Sequence, residues 1–219
     1  MRILAGEARG RVLHSPTGRV TRPTDSRSRE ALFNILGERV VGARILDLYA
    51  GTGAIGLEAL SRGAQCCTFV EQNIAAANAI RANIKMCNWQ ESAQVWQTSV
   101  KSALHRMQEQ SGQFEIIFAD PPFTDARILL ELENRVDTLS ALLHNVGELS
   151  DEDSSALLIV QHHFKAKVDL SSRFELQKSR RAGESLLSFF ELSAELSQIA
   201  LKAASETNQT SSAIASGET

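Results

Sequence analysis

The 219-residue chain has little of what staples a fold or anchors it in a membrane. Its three cysteines, two of them adjacent at Cys66 and Cys67 in an apolar run, cannot build a disulfide framework or a recognisable zinc site, and all three read as reduced structural thiols. No apolar run approaches the length that crosses a bilayer. The start, Arg2-Ile3-Leu4, turns polar at once and lacks the apolar core of a signal peptide. A cytoplasmic protein with no membrane contact is expected. Four prolines stand in the whole sequence, Pro16 and Pro23 in one early loop and Pro121-Pro122 side by side. There is no internal repeat.

Lysine is missing altogether from residues 1–44, although that segment carries Arg2, Arg9, Arg11, Arg19, Arg22, Arg27, Arg29, Arg39 and Arg44 against Glu7, Asp25, Glu30 and Glu38. The net charge of −3 argues against a generally basic nucleic-acid binder, so this excess is local. Guanidinium presents a planar fork suited to phosphate, which makes a basic arm ahead of a neutral-to-acidic body a plausible RNA grip. A solvated surface face would have the same composition.

The chain is organised around Arg44 to Gly56, Arg-Ile-Leu-Asp-Leu-Tyr-Ala-Gly-Thr-Gly-Ala-Ile-Gly. Ile45, Leu46 and Leu48 mark a short buried strand, and the glycines after it permit a tight turn and close approach of backbone to ligand. Gly51, Gly53 and Gly56 satisfy G-x-G-x-x-G, which alone fits a dinucleotide site equally well. Asp47 decides between them. A carboxylate at the strand end repels a pyrophosphate on the helix N-terminus and welcomes a cation, and S-adenosylmethionine carries an ammonium and a sulfonium but no phosphate. A helix from Ile55 to Arg62, stopped by Gly63, leads to a second apolar run, Cys66 to Val70, ending in Glu71. In a doubly wound sheet Glu71 emerges at the same carboxyl edge as Asp47, placed to accept from ribose hydroxyls. Either acid alone could merely cap the turn after its strand.

Elsewhere, strands and helices alternate. A small hairpin, Arg2–Ala5 with Arg11–His14, is expected first, then a loop over residues 15–24 and a helix from Asp25 or Ser26 to Gly37. Helices are predicted over 73–86 and 99–110, with a helical region over 125–145. Strands are predicted over 93–97, 115–120 and 155–161, the run Ile116-Ile117-Phe118 being typical of a parallel strand buried on both faces. Residues 174–177 and 186–192 could close the sheet as an antiparallel pair joined through Arg180, Arg181 and Gly183. The pattern is that of an α/β parallel sheet. The division expected is an RNA-contacting N-terminal hairpin and helix over 1–40, a cofactor-binding body over 41–192, and a frayed or disordered tail over 193–219.

The second motif that carries chemistry is Phe118-Ala119-Asp120-Pro121-Pro122-Phe123. Two prolines cannot continue a central strand, because neither donates to the ladder, so the chain is forced out over the cleft. An exocyclic aryl amine needs two acceptors for its hydrogens; the Asp120 carboxylate and the Pro121 carbonyl could supply them while Phe123 stacks on the base. Acceptors that hold those hydrogens out of the ring plane localise the nitrogen lone pair toward an electrophilic methyl group, and most of the catalysis would be positioning. Read blandly, Pro121-Pro122 is only a turn after a strand.

These motifs together resemble the class I S-adenosylmethionine-dependent methyltransferases, and in particular the bacterial 16S rRNA guanine-N2 methyltransferases of the RsmD type. The likeness covers roughly residues 1–192: Arg2-Ile3-Leu4-Ala5-Gly6 with Gly10-Arg11, Arg22-Pro23-Thr24 leading to Arg29-Glu30-Ala31-Leu32-Phe33-Asn34-Ile35-Leu36, then Asp47 to Gly53 and Asp120 to Phe123. The resemblance implies a Rossmann-like sheet with helices on both faces and methylation of the N2 amine of one guanine in small-subunit rRNA, met in an assembling particle by a monomeric enzyme without metal. It implies Asp47, Tyr49, Gly51, Gly53, Glu71 and Ser99 at the cofactor, Asp120, Pro121, Pro122 and Phe123 at the base, and Arg11, Arg22, Thr24 and Arg29 at the RNA. Thr98-Ser99 stands where the family usually has Asp or Asn toward the adenine amine. Gln161-His162-His163 stands where many relatives have glutamate; paired histidines suggest a metal, but no third ligand is in view. The competing readings are a DNA adenine-N6 methyltransferase and a non-catalytic RNA-binding assembly factor on the same fold.

Overall fold

The computed structural model describes residues 1–16, 26–107, 114–122, 126–143 and 155–193. Five parallel strands, β1 (Arg44–Leu48), β2 (Cys66–Val70), β3 (Ala93–Trp96), β4 (Ile116–Ala119) and β5 (Leu157–His163), are followed by β6 (Phe174–Ala182) and β7 (Ser185–Leu192). The seven form one sheet in the order β3-β2-β1-β4-β5-β7-β6, with β7 antiparallel to both neighbours. The order reverses direction at β1, which lies between β2 and β4, and in open α/β sheets ligands bind at such a switch point beyond the carboxyl ends.

Alternation along the strands sorts the core into two layers. Ile45, Cys67, Phe69, Ile116, Phe118, Leu157 and Ile159 face one layer, with residues of α1 (Ser26–Leu36), α2 (Ala54–Ser61) and α3 (Ile74–Cys87). Leu46, Leu48, Val70, Ile117, Ala119, Leu158 and Val160 face the other, with residues of α4 (Val100–Met107), α5 (Ala126–Glu133) and α6 (Val136–Leu142). Among the described residues no helix is long and apolar enough to cross a membrane.

The N-terminal segment belongs to the first of these layers, through Ile3, Ala8 and Leu13. What ties it down is Glu58, fully buried in α2. Its two oxygens accept from the Leu4 and Ala5 amides at 2.8 and 3.0 Å. Arg62 Nε donates to it at 2.9 Å and Arg29 Nε lies 3.6 Å away. A charge taken from water is tolerated only with this degree of pairing.

Several elements differ from expectation. The first hairpin reduces to one antiparallel bridge, Arg2 with Val12, because positive-φ turns at Gly6 and Gly10 take up the residues between. Gly37 does not end the first helix cleanly but opens a 3-10 turn, Gly37–Val40. The long helical region breaks into α5 and α6 around Asn134-Arg135. Arg180 and Arg181 lie within β6, paired with Leu187 and Leu186, and not in the connection. The tail beyond Ser193 lies outside the described residues.

Glu58→Ala should cost about 3–5 kcal/mol, since it strands the buried Arg29 charge and two amides. Urea denaturation checks this, and limited proteolysis should show earlier cleavage before residue 16; an unchanged midpoint would remove Glu58 from this role.

Candidate active site

The three strands around the switch point bring Asp47, Glu71 and Asp120 together. Asp47 pairs with Phe69 and Phe118, and Leu48 with Val70 and Ala119, so Glu71 and Asp120 each follow directly from a strand flanking β1. The ladder continues through both: the Glu71 amide donates to Trp96 O at 3.1 Å and the Asp120 amide to Leu48 O at 3.4 Å. By strand alternation all three side chains fall on the α1–α2–α3 face.

Asp47 is only 2% exposed, and its Oδ2 accepts from the Gly56 amide at 3.1 Å. That contact depends on close seating of α2, since a Cβ on Gly56 would stand 2.3 Å from the Phe69 ring and 2.5 Å from the Cys67 sulfur. Burial pushes the Asp47 carboxyl up to about 8; the Gly56 amide opposes this, and the charges of Asp120 and Glu71 add to it. Glu71, 8% exposed, accepts from the Gly51 amide and from the Asn73 amide, each at 2.7 Å. Among the described residues no Lys or Arg pairs with Asp47 or Glu71. Carboxyl groups placed in this way form an edge that a cation would complement.

The loop between β1 and α2 is held in an unusual shape. Tyr49 has φ 58°, a region that bulky residues seldom enter, and Gly53 caps α2 at φ 75° with no side-chain cap. The loop is pinned by Ala50 N to Val70 O at 3.0 Å and Gly53 N to Ala50 O at 2.7 Å. Tyr49 is half-buried, and its buried hydroxyl has no partner among the described residues. Burial, and then the Glu131 charge, push that hydroxyl's titration upward. Strain stored in a loop beside buried carboxylates is characteristic of a ligand clamp.

Other expected site residues fare differently. Pro121 is buried and Pro122 exposed at the exit of β4; Phe123 lies outside the described residues. Ser99 sits between β3 and α4, where its Oγ accepts from the Ser102 amide at 3.2 Å and donates to Ser102 Oγ at 3.0 Å, the part of a helix cap. Arg11 is exposed and donates to Met86 O at 2.6 Å. Arg22 and Thr24 lie outside the described residues. Arg29 is a correction. It is 1% exposed, donates to Arg2 O at 2.7 Å and faces Glu58, so it holds the N-terminal segment to α2 and is not available to RNA. His162 is buried with Nε2 2.9 Å from Ser188 Oγ and Nδ1 3.1 Å from His163 O. Among the described residues no group of three or more His, Cys, Asp or Glu could hold a metal. Sequence reasoning missed Glu58, whose signal was a lone acid inside the apolar helix Ala-Ile-Gly-Leu-Glu-Ala-Leu-Ser.

Residues 1–191 match the model of a family described as Conserved hypothetical protein 95. A relative from Escherichia coli K12, named ribosomal RNA small subunit methyltransferase D, is 35% identical over 185 residues, 84% of this chain and 86% of its own length. The chain belongs to the methyltransferase D family. YlbH of Bacillus subtilis, an rRNA methyltransferase by name, is 33% identical over 162 residues, 74% of this chain and 82% of its own. The solved structure of yhhF from Escherichia coli, a methyltransferase by name, superposes with a TM-score of 0.72 at 32% identity, covering 89% of this chain and 98% of that one. The family's fold is the Rossmann-like class I methyltransferase sheet.

An acid whose folded titration lies above its unfolded one favours the fold most below the unfolded value, near 3.8, and loses that contribution as pH rises through about 8. Asp47→Asn keeps an acceptor for the Gly56 amide and cannot ionise. The ligand-free variant should therefore melt above wild type by about 4 °C or more at pH 8, with the gap closing toward pH 4, in scanning calorimetry. A gap that widens on acidification would refute the buried-carboxyl assignment.

Proposed function

We propose that this chain transfers a methyl group from S-adenosylmethionine to the exocyclic N2 amine of a guanine in small-subunit (16S) rRNA, met in an assembling small ribosomal subunit in the cytoplasm. The observation that carries the reading is the gathering of Asp47, Glu71 and Asp120 at one sheet edge, the first two without a cationic partner among the described residues, beside the Pro121-Pro122 corner. The rRNA methyltransferase names of two relatives over most of the chain support the substrate class.

The residues present fit the cofactor. Asp47 is a buried acid short of a counter-charge and Glu71 an acceptor one strand away, on either side of a glycine turn. When bound, the cofactor supplies a methyl group on a sulfonium, which leaves as a neutral thioether with the C–S electron pair. Asp47 would face the cationic end, Glu71 the ribose hydroxyls, and the loop of Tyr49, Gly51 and Gly53 the space between. Ser99 would reach the adenine only with the oxygen that already serves the cap. Asp120 and the Pro121 carbonyl would accept the two N2 hydrogens, leaving the nitrogen lone pair aimed along the C–S axis. As the N–C bond forms, the surplus proton passes from N2 to Asp120 or to water. Phe123 would cover the base. In the RNA grip we retain Arg11, Arg22 and Thr24.

Methyl incorporation from labelled cofactor should go into 16S rRNA of particles from cells lacking this protein, and not into DNA or protein, with N2-methylguanosine as the digested product. Asp120→Ala should lower turnover at least about 100-fold while cofactor affinity stays within a few-fold. Label in adenosine, or turnover that survives the substitution, would contradict the placement of the amine.

A further inference from the structure

The carboxyl edge holds one more polar group that nothing above uses. Gln161 is 4% exposed, and its carboxamide oxygen is buried with no hydrogen-bond partner among the described residues. Its neighbour shows that this is not general at the strand end, because both ring nitrogens of His162 are engaged. A buried acceptor left without a donor is costly and uncommon in a native fold, and marks a place where something else supplies the donor.

Its position says what that donor is. Val160 pairs with Ala119, so Gln161 stands level with Asp120, one strand away. Alternation puts Val160 on the α4–α6 face and Gln161 on the opposite one, opposite Leu187, which is in the α1–α3 core layer. Gln161 therefore shares both edge and face with Asp47, Glu71 and Asp120. Neighbouring strands lie about 4.8 Å apart, a separation comparable to the length of a purine's hydrogen-bonding edge. Guanine presents along that edge two amine hydrogens on N2, one hydrogen on N1 and an acceptor at O6. A carboxamide offers an acceptor and a donor side by side.

Resting on the guanine reading above, we propose that Gln161 is the residue that selects guanine: its Oε1 accepts from N1–H and its Nε2 donates to O6, while Asp120 and Pro121 hold the N2 amine. Adenine placed with its own amine at Asp120 would turn the bare N1 acceptor toward the Gln161 oxygen. Acceptor would meet acceptor, and a site built to bond a substrate N–H discriminates strongly against analogues that lack it. Gln161 is in this account a specificity residue that touches the base but takes no part in the bond exchange.

The test uses small-subunit particles reconstituted with 16S rRNA carrying either guanine or 2-aminopurine at the methylated position. 2-Aminopurine keeps the amine and loses both N1–H and O6. Wild type should show kcat/KM lower by about 100-fold or more on the 2-aminopurine particle. Gln161→Met, which keeps the volume, should lose about as much on guanine and treat the two bases within a few-fold. Gln161→Glu, which keeps the N1–H acceptor, should restore part of the preference. Cofactor affinity should be unchanged in both variants, and the melting temperature of Gln161→Met should not fall, since it removes an unsatisfied group. Equal wild-type rates on the two bases, or wild-type selectivity in folded Gln161→Met, would overturn the assignment. If wild type transfers no methyl group to guanine particles, the function reading itself has failed, and that is seen before any variant is compared.

Discussion

The buried carboxyl of Asp47 is the constraint on which the rest of the site depends. An acid held out of water, within reach of two further carboxylates, would leave a soluble fold at a disadvantage near neutral pH unless something repaid it. The fold nonetheless secures the arrangement from several directions. Gly56 lets α2 press onto β2 so that its amide reaches the carboxylate. The parallel register of β1 with β2 and β4 places the other two acids alongside. Tyr49 accepts an unfavourable backbone angle to turn the chain between them. A stable edge would have used an arginine here, as the opposite end of β1 does. There Arg44 Nη2 lies 2.5 Å from the Glu115 carboxylate and its amide donates to the same group at 2.6 Å. One end of β1 is closed by an ion pair, and at the other Asp47 and Glu71 have no Lys or Arg beside them among the described residues.

The N-terminal segment is fastened by the same logic applied to structure instead of function. Glu58 is also a buried acid, but it is fully paired, by two amides and two guanidinium groups. Further ties reinforce it: Ser61 Oγ accepts from the Ala8 amide at 3.0 Å, and the Trp89 indole donates to Glu7 at 2.6 Å. Asn83 exchanges two bonds with the His14 backbone, at 2.7 and 3.1 Å. The arm is thereby fixed on the face of the sheet where the candidate base-binding residues lie.

Much of the site could be read from the sequence because the signals were local. An apolar run ending in an acid, then glycines, gives a strand, its carboxyl end and a turn, and from these the positions of Asp47 and Glu71 follow; two prolines do the same for Asp120. Burial of a polar side chain is decided by what packs over it, and there the reading failed. Arg29 counted toward a basic surface although Glu58 draws it into the core, and Glu58 looked like an ordinary helix residue. Ser99 could not be distinguished from a cap, and nothing in the neighbours of Gln161 tells whether its oxygen finds a donor. The edge hairpin was placed correctly, but pairing between β6 and β7 extends its strands through Arg180 and Arg181, a consequence of register that composition does not carry.

The central claim is that this edge keeps its buried carboxyl groups, Asp47 above all, in order to hold a cation, and cofactor binding tests it most directly. Titration calorimetry with S-adenosylmethionine between about pH 5.5 and 6.7, in buffers of different ionisation enthalpy, reports both affinity and proton exchange over a range at least about one unit below 7.7, where the ligand's ammonium stays charged. If Asp47 gives up its proton to face the ligand, binding releases close to one proton, affinity rises with pH by up to about tenfold per unit, and Asp47→Asn shows no such release. Affinity that is flat across this range, or proton uptake on binding, would contradict the account.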